Sequence, residues 1–215
     1  STRVMVGAAV TLDGVGLEQR VTARSQEVAA DSSMWPVAEK RPKFVAAGFH
    51  HNEDDETVRD RFLETMRTLD FRAHVLYSHR AIKGLDDTDL LLTMYFTLVR
   101  NLLRRYAGED VDLIFETKSE LDPYYGRIVL HAVESLARID APRPSSASAR
   151  IGMKPMGELS VIDYTLAVTE AHIRSLTGSN EAPFRQARFT RVGTHMAHLM
   201  DFDTAAHRRK LGRML

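Results

Sequence analysis

From residue 44 onward, short apolar runs of strand length alternate with longer segments of helical period, and that alternation restricts the chain to a sheet layered with helices. Phe44-Val-Ala-Ala-Gly-Phe49 reads as a short apolar strand. A helix over roughly residues 54–68 follows, with Val58, Phe62, Met66 and Leu69 on one face. Asn52 is placed to cap it, and Asp54, Asp55 and Glu56 in its first turn complement the dipole. Phe71 to Tyr77 predicts a second strand, and Asp86-Asp87-Thr88 opens a long helix over roughly 87–106 that is apolar on most faces and expected at the centre. Val111-Asp-Leu-Ile-Phe-Glu116 reads as a strand. Leu121-Asp-Pro-Tyr then opens a helix with Asp122 as cap, Pro123 at the first position and a core face of Ile128, Val129, Ala132, Val133 and Leu136. Ala141-Pro-Arg-Pro-Ser-Ser-Ala-Ser148 is the one loop-like stretch of biased composition, and it leads to a strand over about 149–153 and a helix around Asp163. A mixed sheet is expected rather than a purely parallel one. Nearer the start, Val4 to Leu12 looks like a strand, Asp13-Gly14 like a turn, and Val21 to Ala30 like either strand or helix.

Composition narrows the function classes. With 215 residues, 44% hydrophobic and 27% charged, the chain can bury a full core as one large domain or a domain with an extension. No apolar run reaches the roughly 18 residues of a membrane span, since Leu90 to Leu103 is interrupted by Thr93, Thr97, Arg100 and Asn101. The start, Ser1-Thr-Arg-Val, lacks the order of a secretory signal and is read as a trimmed end. The absence of cysteine excludes disulfides and thiolate chemistry and agrees with a cytoplasmic location. Basic and acidic residues balance at 29 each, so a nucleic acid would have to be gripped locally rather than by an overall positive field. There is no Walker loop, no Gly-x-Gly-x-x-Gly and no Gly-x-Ser-x-Gly.

The residue that most demands a chemical explanation is Asp163. It shares a helix face with Leu159, Ile162 and Leu166, and a carboxylate on a buried face needs a cation, a metal or a network of donors. Glu116 ends an apolar strand, where α/β sheets present side chains to a functional crevice. Together with a third, earlier acid these would form a carboxylate cluster for hard divalent ions such as Mg²⁺ or Mn²⁺, and two such ions clamp the attacking and leaving oxygens of a phosphodiester. The plainer reading has Glu116 in solvent and Asp163 paired with an arginine such as Arg127 or Arg150.

The element order resembles a widespread uncharacterised bacterial and phage family with a ribonuclease-H-like fold, whose members carry Asp-Glu-Ser-Gly near the start, an acid ending a central strand and a late Leu-Gln-x-x-Asp motif. Phe44 to His51 resembles the family's second strand, Val111 to Glu116 its acid-bearing strand, and Leu159-Ser-Val-Ile-Asp163-Tyr164 its late motif, over roughly residues 28–176. The resemblance implies an α/β fold, a ribonuclease-H-like mixed sheet flanked by helices, over 28–176. Residues 1–27 would be an N-terminal extension or first strand, and 177–215 a C-terminal extension packed on the domain. It implies a divalent-metal-dependent nuclease in which Asp31, Glu116 and Asp163 hold Mg²⁺ or Mn²⁺ and a metal-bound water attacks. The chain departs from the family pattern at three places. Asp-Glu-Ser-Gly is absent, with Ala30-Asp31-Ser32-Ser33 its nearest counterpart by spacing and Asp13 a second choice; Ser160 replaces Gln; and Glu116 stands where Asp is common. A second reading therefore stands beside the nuclease: a catalytically degenerate module that binds nucleic acid or a protein partner, with Asp163 neutralised by an internal basic residue.

Three weaker patterns remain. His195-Met-Ala-His198 with Asp201 could form a transition-metal site on a helix, although Met196, Leu199 and Met200 point to ordinary packing. Arg185, Arg188 and Arg191 interleave with Phe184 and Phe189, a pattern that could touch a phosphate backbone or be a solvated face, and His207, Arg208, Arg209, Lys210 and Arg213 form a second basic group. The apolar Val4 to Val10 stretch could pair with another copy as a homodimer.

Overall fold

Alternating burial of Val4 and Val6 drives Val4–Val10 into the first strand, β1, of a computed structural model that describes residues 4–79, 86–176 and 183–203. Asp13 then caps helix α1 (Gly14–Ala30), its Oδ1 accepting the Gly16 N–H at 2.8 Å. The stretch that reads as strand or helix is helical because Leu17, Val21 and Val28, one and two turns apart, reach the core together only when wound.

The apolar run Phe44 to Phe49 is not a strand, which corrects the sequence reading. It forms the end of helix α2 (Lys40–Ala47), closed by Gly48 at φ 67°, whose N–H donates to the Phe44 carbonyl at 2.7 Å. Phe44 is buried while Val45 is exposed, the one-sided burial of a helix. Helix α3 (Glu56–Met66) follows with Asp55, not Asn52, at its cap position. Val58, Phe62, Leu63 and Met66 on α3 are fully buried, and each large side chain so placed contributes about 1.5–3 kcal/mol.

Strand β2 (Arg72–Ser78), helix α4 (Asp87–Arg105) and strand β3 (Asp110–Glu116) lie close to their expected positions, and Asp86 caps α4 by accepting the Asp89 N–H at 2.8 Å. Helix α5 (Asp122–Arg138) has Leu121 at its cap position, and the Asp122 carboxylate instead closes the preceding turn by accepting from Lys118 N–H (2.7 Å) and the Thr117 hydroxyl (2.8 Å). Strand β4 (Ser146–Gly152) pairs in parallel with β3, from Asp110 opposite Ser146 to Glu116 opposite Gly152, with α5 as the crossover. The chain ends, as described, in helix α6 (Gly157–Leu176), helix α7 (Pro183–Gly193) and strand β5 (Met196–Asp201).

The molecule is an α/β protein with seven α-helices among the described residues. Its strands form a three-stranded sheet in the order β1-β2-β5 and the two-stranded β3-β4 sheet. The ribonuclease-H topology, which has a five-stranded sheet, is not displayed by these two small sheets. β1, the strand expected to be open to another copy, is an edge strand of the first. The segments read as extensions supply β1, most of α1, α7 and β5. No helix among the described residues is long and apolar enough to cross a membrane.

The chain divides into two units. One takes Val75–Gly152 with Val4–Gly7 and Leu199–Asp203, and its core gathers α4, β3 and α5 around Phe115 stacked on Tyr125 at 4.2 Å. The other is assembled from Ala8–His74 and Met153–His198, with a core joining α1, α3, α6 and Val192 of α7.

Candidate functional site

A set of chemistry-bearing side chains converges within the second unit, around the loop between α2 and α3. Phe49 anchors that loop, stacked on Phe62 with centroids 4.0 Å apart and edge-on to Tyr164. Ser160, the residue standing at the Gln position of the late motif, donates its hydroxyl to the Phe49 carbonyl at 3.0 Å. With Phe49 fixed, the next two backbone N–H groups point at two different carboxylates. His50 N–H donates to Asp54 Oδ2 (2.9 Å) and His51 N–H donates to Asp163 Oδ2 (3.0 Å).

Asp163 has found its cation. Lys154 Nζ donates to the same Oδ2 at 2.9 Å, and the two side chains are only 11% and 22% exposed. His50 Nδ1 stands 3.6 Å from that oxygen. The expected arginine partners are not involved: Arg150 Nε pairs with Asp112 at 3.1 Å in the other unit. Asp163 thus ties together the loop, the turn before α6 and α6 itself, a structural use for a charge on an apolar face.

Asp54, which the sequence placed in the first turn of the helix as a complement to its dipole, is buried more deeply than Asp163. It is 8% exposed, and it accepts the Tyr164 hydroxyl proton as well as the His50 N–H. Burial pushes its carboxyl up to about 6, against the lowering effect of the Tyr164 and His50 hydrogen bonds. Burial and the adjacent Asp54 carboxyl push the Tyr164 phenol far above its usual range. The pair therefore holds its proton firmly.

Beside this network lies a cleft of about 240 Å³. Arg59, Arg174 and Arg188 supply its cations, His51 and Asn52 its neutral polar edge, and Ala167, Val168 and Ala171 of α6 its apolar floor. Glu56 and Glu170 also reach it. Arg59 Nε donates to the His51 carbonyl at 2.7 Å, and Arg188, with a side chain 10% exposed, donates from Nε to Asp60 at 3.1 Å. Phe189 stacks on His172 at 3.9 Å and holds α7 against α6. The His51 imidazole is pushed below its usual value by burial and then by the nearby Arg59, with Arg188 acting in the same direction.

The remaining expected site residues have the following surroundings. Asp31 is exposed at the start of a short 3₁₀ turn, accepting the Ser33 N–H (3.0 Å) and hydroxyl (2.6 Å), and these bonds hold its carboxyl below the usual range. Asp13 caps α1. Glu116 ends β3 in the other unit, where its backbone carbonyl accepts the Tyr125 hydroxyl at 3.3 Å. Among the described residues, no group of three or more His, Asp or Glu side chains is placed to hold a metal ion.

His195 and His198 are not on a helix, because β5 begins at Met196. His195 precedes that strand and stacks on Phe71 at 4.3 Å, and His198 is exposed within it, 6.5 Å from His74. Arg188 and Arg191 pair with Asp60 at 3.1 and 3.4 Å rather than forming a solvated stripe. Residues 207–213 lie outside the described residues, as do the side chains of Phe184 and Arg185.

Sequence reasoning missed Lys154, Asp54 and Arg59. Lys154 did leave a trace, as the single charge in the apolar segment Ile151-Gly-Met-Lys-Pro-Met-Gly157. No family model, curated protein or solved structure matches the chain.

Proposed function

We propose that this chain is an α/β module that binds nucleic acid through its second unit and does not hydrolyse it. The observation that carries the reading is the Lys154–Asp163 pair: an ammonium group at 2.9 Å occupies the carboxylate that a metal would need, and a backbone N–H completes that oxygen's set of donors. Displacing Lys154 would leave a nearly buried cation without its partner, a cost that opposes metal entry. The cleft beside the pair offers arginines and a neutral imidazole, groups suited to phosphate and base. A chain without cysteine suits a reducing cytoplasm.

The competing reading, a Mg²⁺- or Mn²⁺-dependent nuclease using Asp31, Glu116 and Asp163, makes the opposite prediction for metal. Titration calorimetry with Mn²⁺ and Mg²⁺ separates the two when the wild type is compared with Asp163→Asn, Glu116→Gln and Lys154→Met. The binding-module reading expects no saturable binding in the wild type, together with salt-sensitive binding of a labelled single strand in fluorescence anisotropy. Saturable wild-type metal binding that both carboxylate substitutions abolish would overturn it in favour of the nuclease.

A further inference from the structure

The geometry points to the cleft lined by Arg59, Arg174 and Arg188 as a subsite for one phosphorylated nucleoside unit, with the phosphate on the arginines and the base over the α6 floor. This inference deepens the nucleic-acid reading and rests on it for the polymeric source of the ligand. A free mononucleotide carries the same chemistry.

Three features of the cleft select that ligand. First, its ionic lining is three arginines against Glu56 and Glu170, so an arriving anion meets a net positive wall. The arginines are held in place beforehand. Arg188 is fixed by Asp60 and Arg59 by the His51 carbonyl, which lowers the ordering cost of forming charge-assisted bonds to phosphate. The two competing acids are held in solvent-exposed pairs: Glu56 sits 3.7 Å from Arg188 with a side chain 68% exposed, and Glu170 pairs with Arg174, contacts of a kind worth little in water.

Second, α6 lines the cleft with small apolar side chains. Ala167 and Ala171 lie one turn apart on α6 with Val168 beside them, leaving room for a planar ring where larger side chains would fill the space. The His51 imidazole and the Asn52 amide on the rim offer hydrogen bonds to base or sugar edges, and burial, then the nearby Arg59, pushes that imidazole toward its neutral form.

Third, the size is restrictive. At about 240 Å³ the cleft falls below the range of roughly 300–1,000 Å³ typical for whole drug-sized ligands, so it takes one unit of a strand and not a duplex.

The test uses the full chain, with adenosine monophosphate, adenosine and inorganic phosphate as calorimetric probes and a short fluorescein-labelled single strand for anisotropy. Two variants alter the cleft in different ways. Arg174→Glu reverses a charge on a half-exposed side chain, and Ala171→Phe fills the floor without touching a charge. Circular dichroism establishes that each remains folded. The expected result is that the monophosphate binds the wild type at least about tenfold more tightly than adenosine, and that each variant weakens the monophosphate by at least about tenfold.

Equal affinity for adenosine and its monophosphate, or variants that bind the monophosphate like the wild type, overturns the subsite. If the single strand binds and neither variant weakens it, the subsite falls and the nucleic-acid reading stands. If the monophosphate behaves as expected but the single strand does not bind, the subsite stands with a free nucleotide as its ligand and the nucleic-acid reading falls. Binding of neither overturns both.

Discussion

An acid taken out of water must acquire a cation, a metal or a proton, and the partly buried Asp163 and the buried Asp54 resolve that requirement differently although both are fastened by the same short loop. Asp163 takes the Lys154 ammonium, whereas Asp54 takes the Tyr164 hydroxyl and titrates high. The second choice has a consequence for stability. Because burial raises the Asp54 carboxyl from 3.8 to about 6, the folded state binds its proton more tightly than the unfolded chain does. Its stabilising contribution is therefore fully present below pH 3.8 and is lost as pH rises through about 6, leaving the protein less stable at pH 7 by about 2–3 kcal/mol from this group. Urea denaturation of the wild type and Asp54→Asn across pH 4.5–8 should show that slope in the former, and the difference between the two curves should be flat above about pH 7. Identical slopes in both proteins would mean that another group carries the dependence.

Elements were legible wherever a single period ran long enough. The helices α3, α4 and α5 and the strands β1, β2 and β3 occur near their sequence positions because their apolar residues repeat cleanly at 3.6 or 2. Phe44 to Phe49 and His195 to Asp201 went the other way, since six or seven residues fit either period and only the neighbouring elements decide. The contact between α1 and α6 shows how strongly such neighbours act on one position. A Cβ added at Gly157 would lie 2.8 Å from Val21 Cβ and from Glu18 Oε2, whose carboxylate accepts the Gly157 N–H, whereas one added at Gly126 of α5 meets nothing within 4 Å. Gly126→Ala should therefore stabilise by about 0.5–1 kcal/mol as α5 loses a flexible residue. Gly157→Ala should destabilise by about 1–3 kcal/mol, overpacking outweighing the same propensity gain. Denaturant midpoints measure both, and equal stability of the two variants would show that α1 and α6 yield to the added methyl.

At the scale of the whole molecule, the second unit draws its core from two stretches of chain, Ala8–His74 and Met153–His198, separated by a segment that belongs to the other unit. Phe62 of α3 sits between them in effect, fully buried, stacked on Phe49 and 4.7 Å from the Tyr164 ring of α6. Phe62→Ala should cost about 3–5 kcal/mol, and hydrogen exchange should lose protection in α6 as well as in α3. Loss confined to α3 would show that α6 is held by other contacts. The sequence by itself determined the α/β class, most element positions and the fact that Asp163 needed a partner, because period, capping and the cost of burying charge are local properties written in neighbouring residues. Only the tertiary structure decided that the partner is Lys154, that the Asp31 carboxylate accepts from Ser33, and that Arg59, Arg174 and Arg188 share one cleft. The Lys154 pairing and the cleft join residues from separate elements, and no spacing along a chain records which helix faces meet once the core has closed.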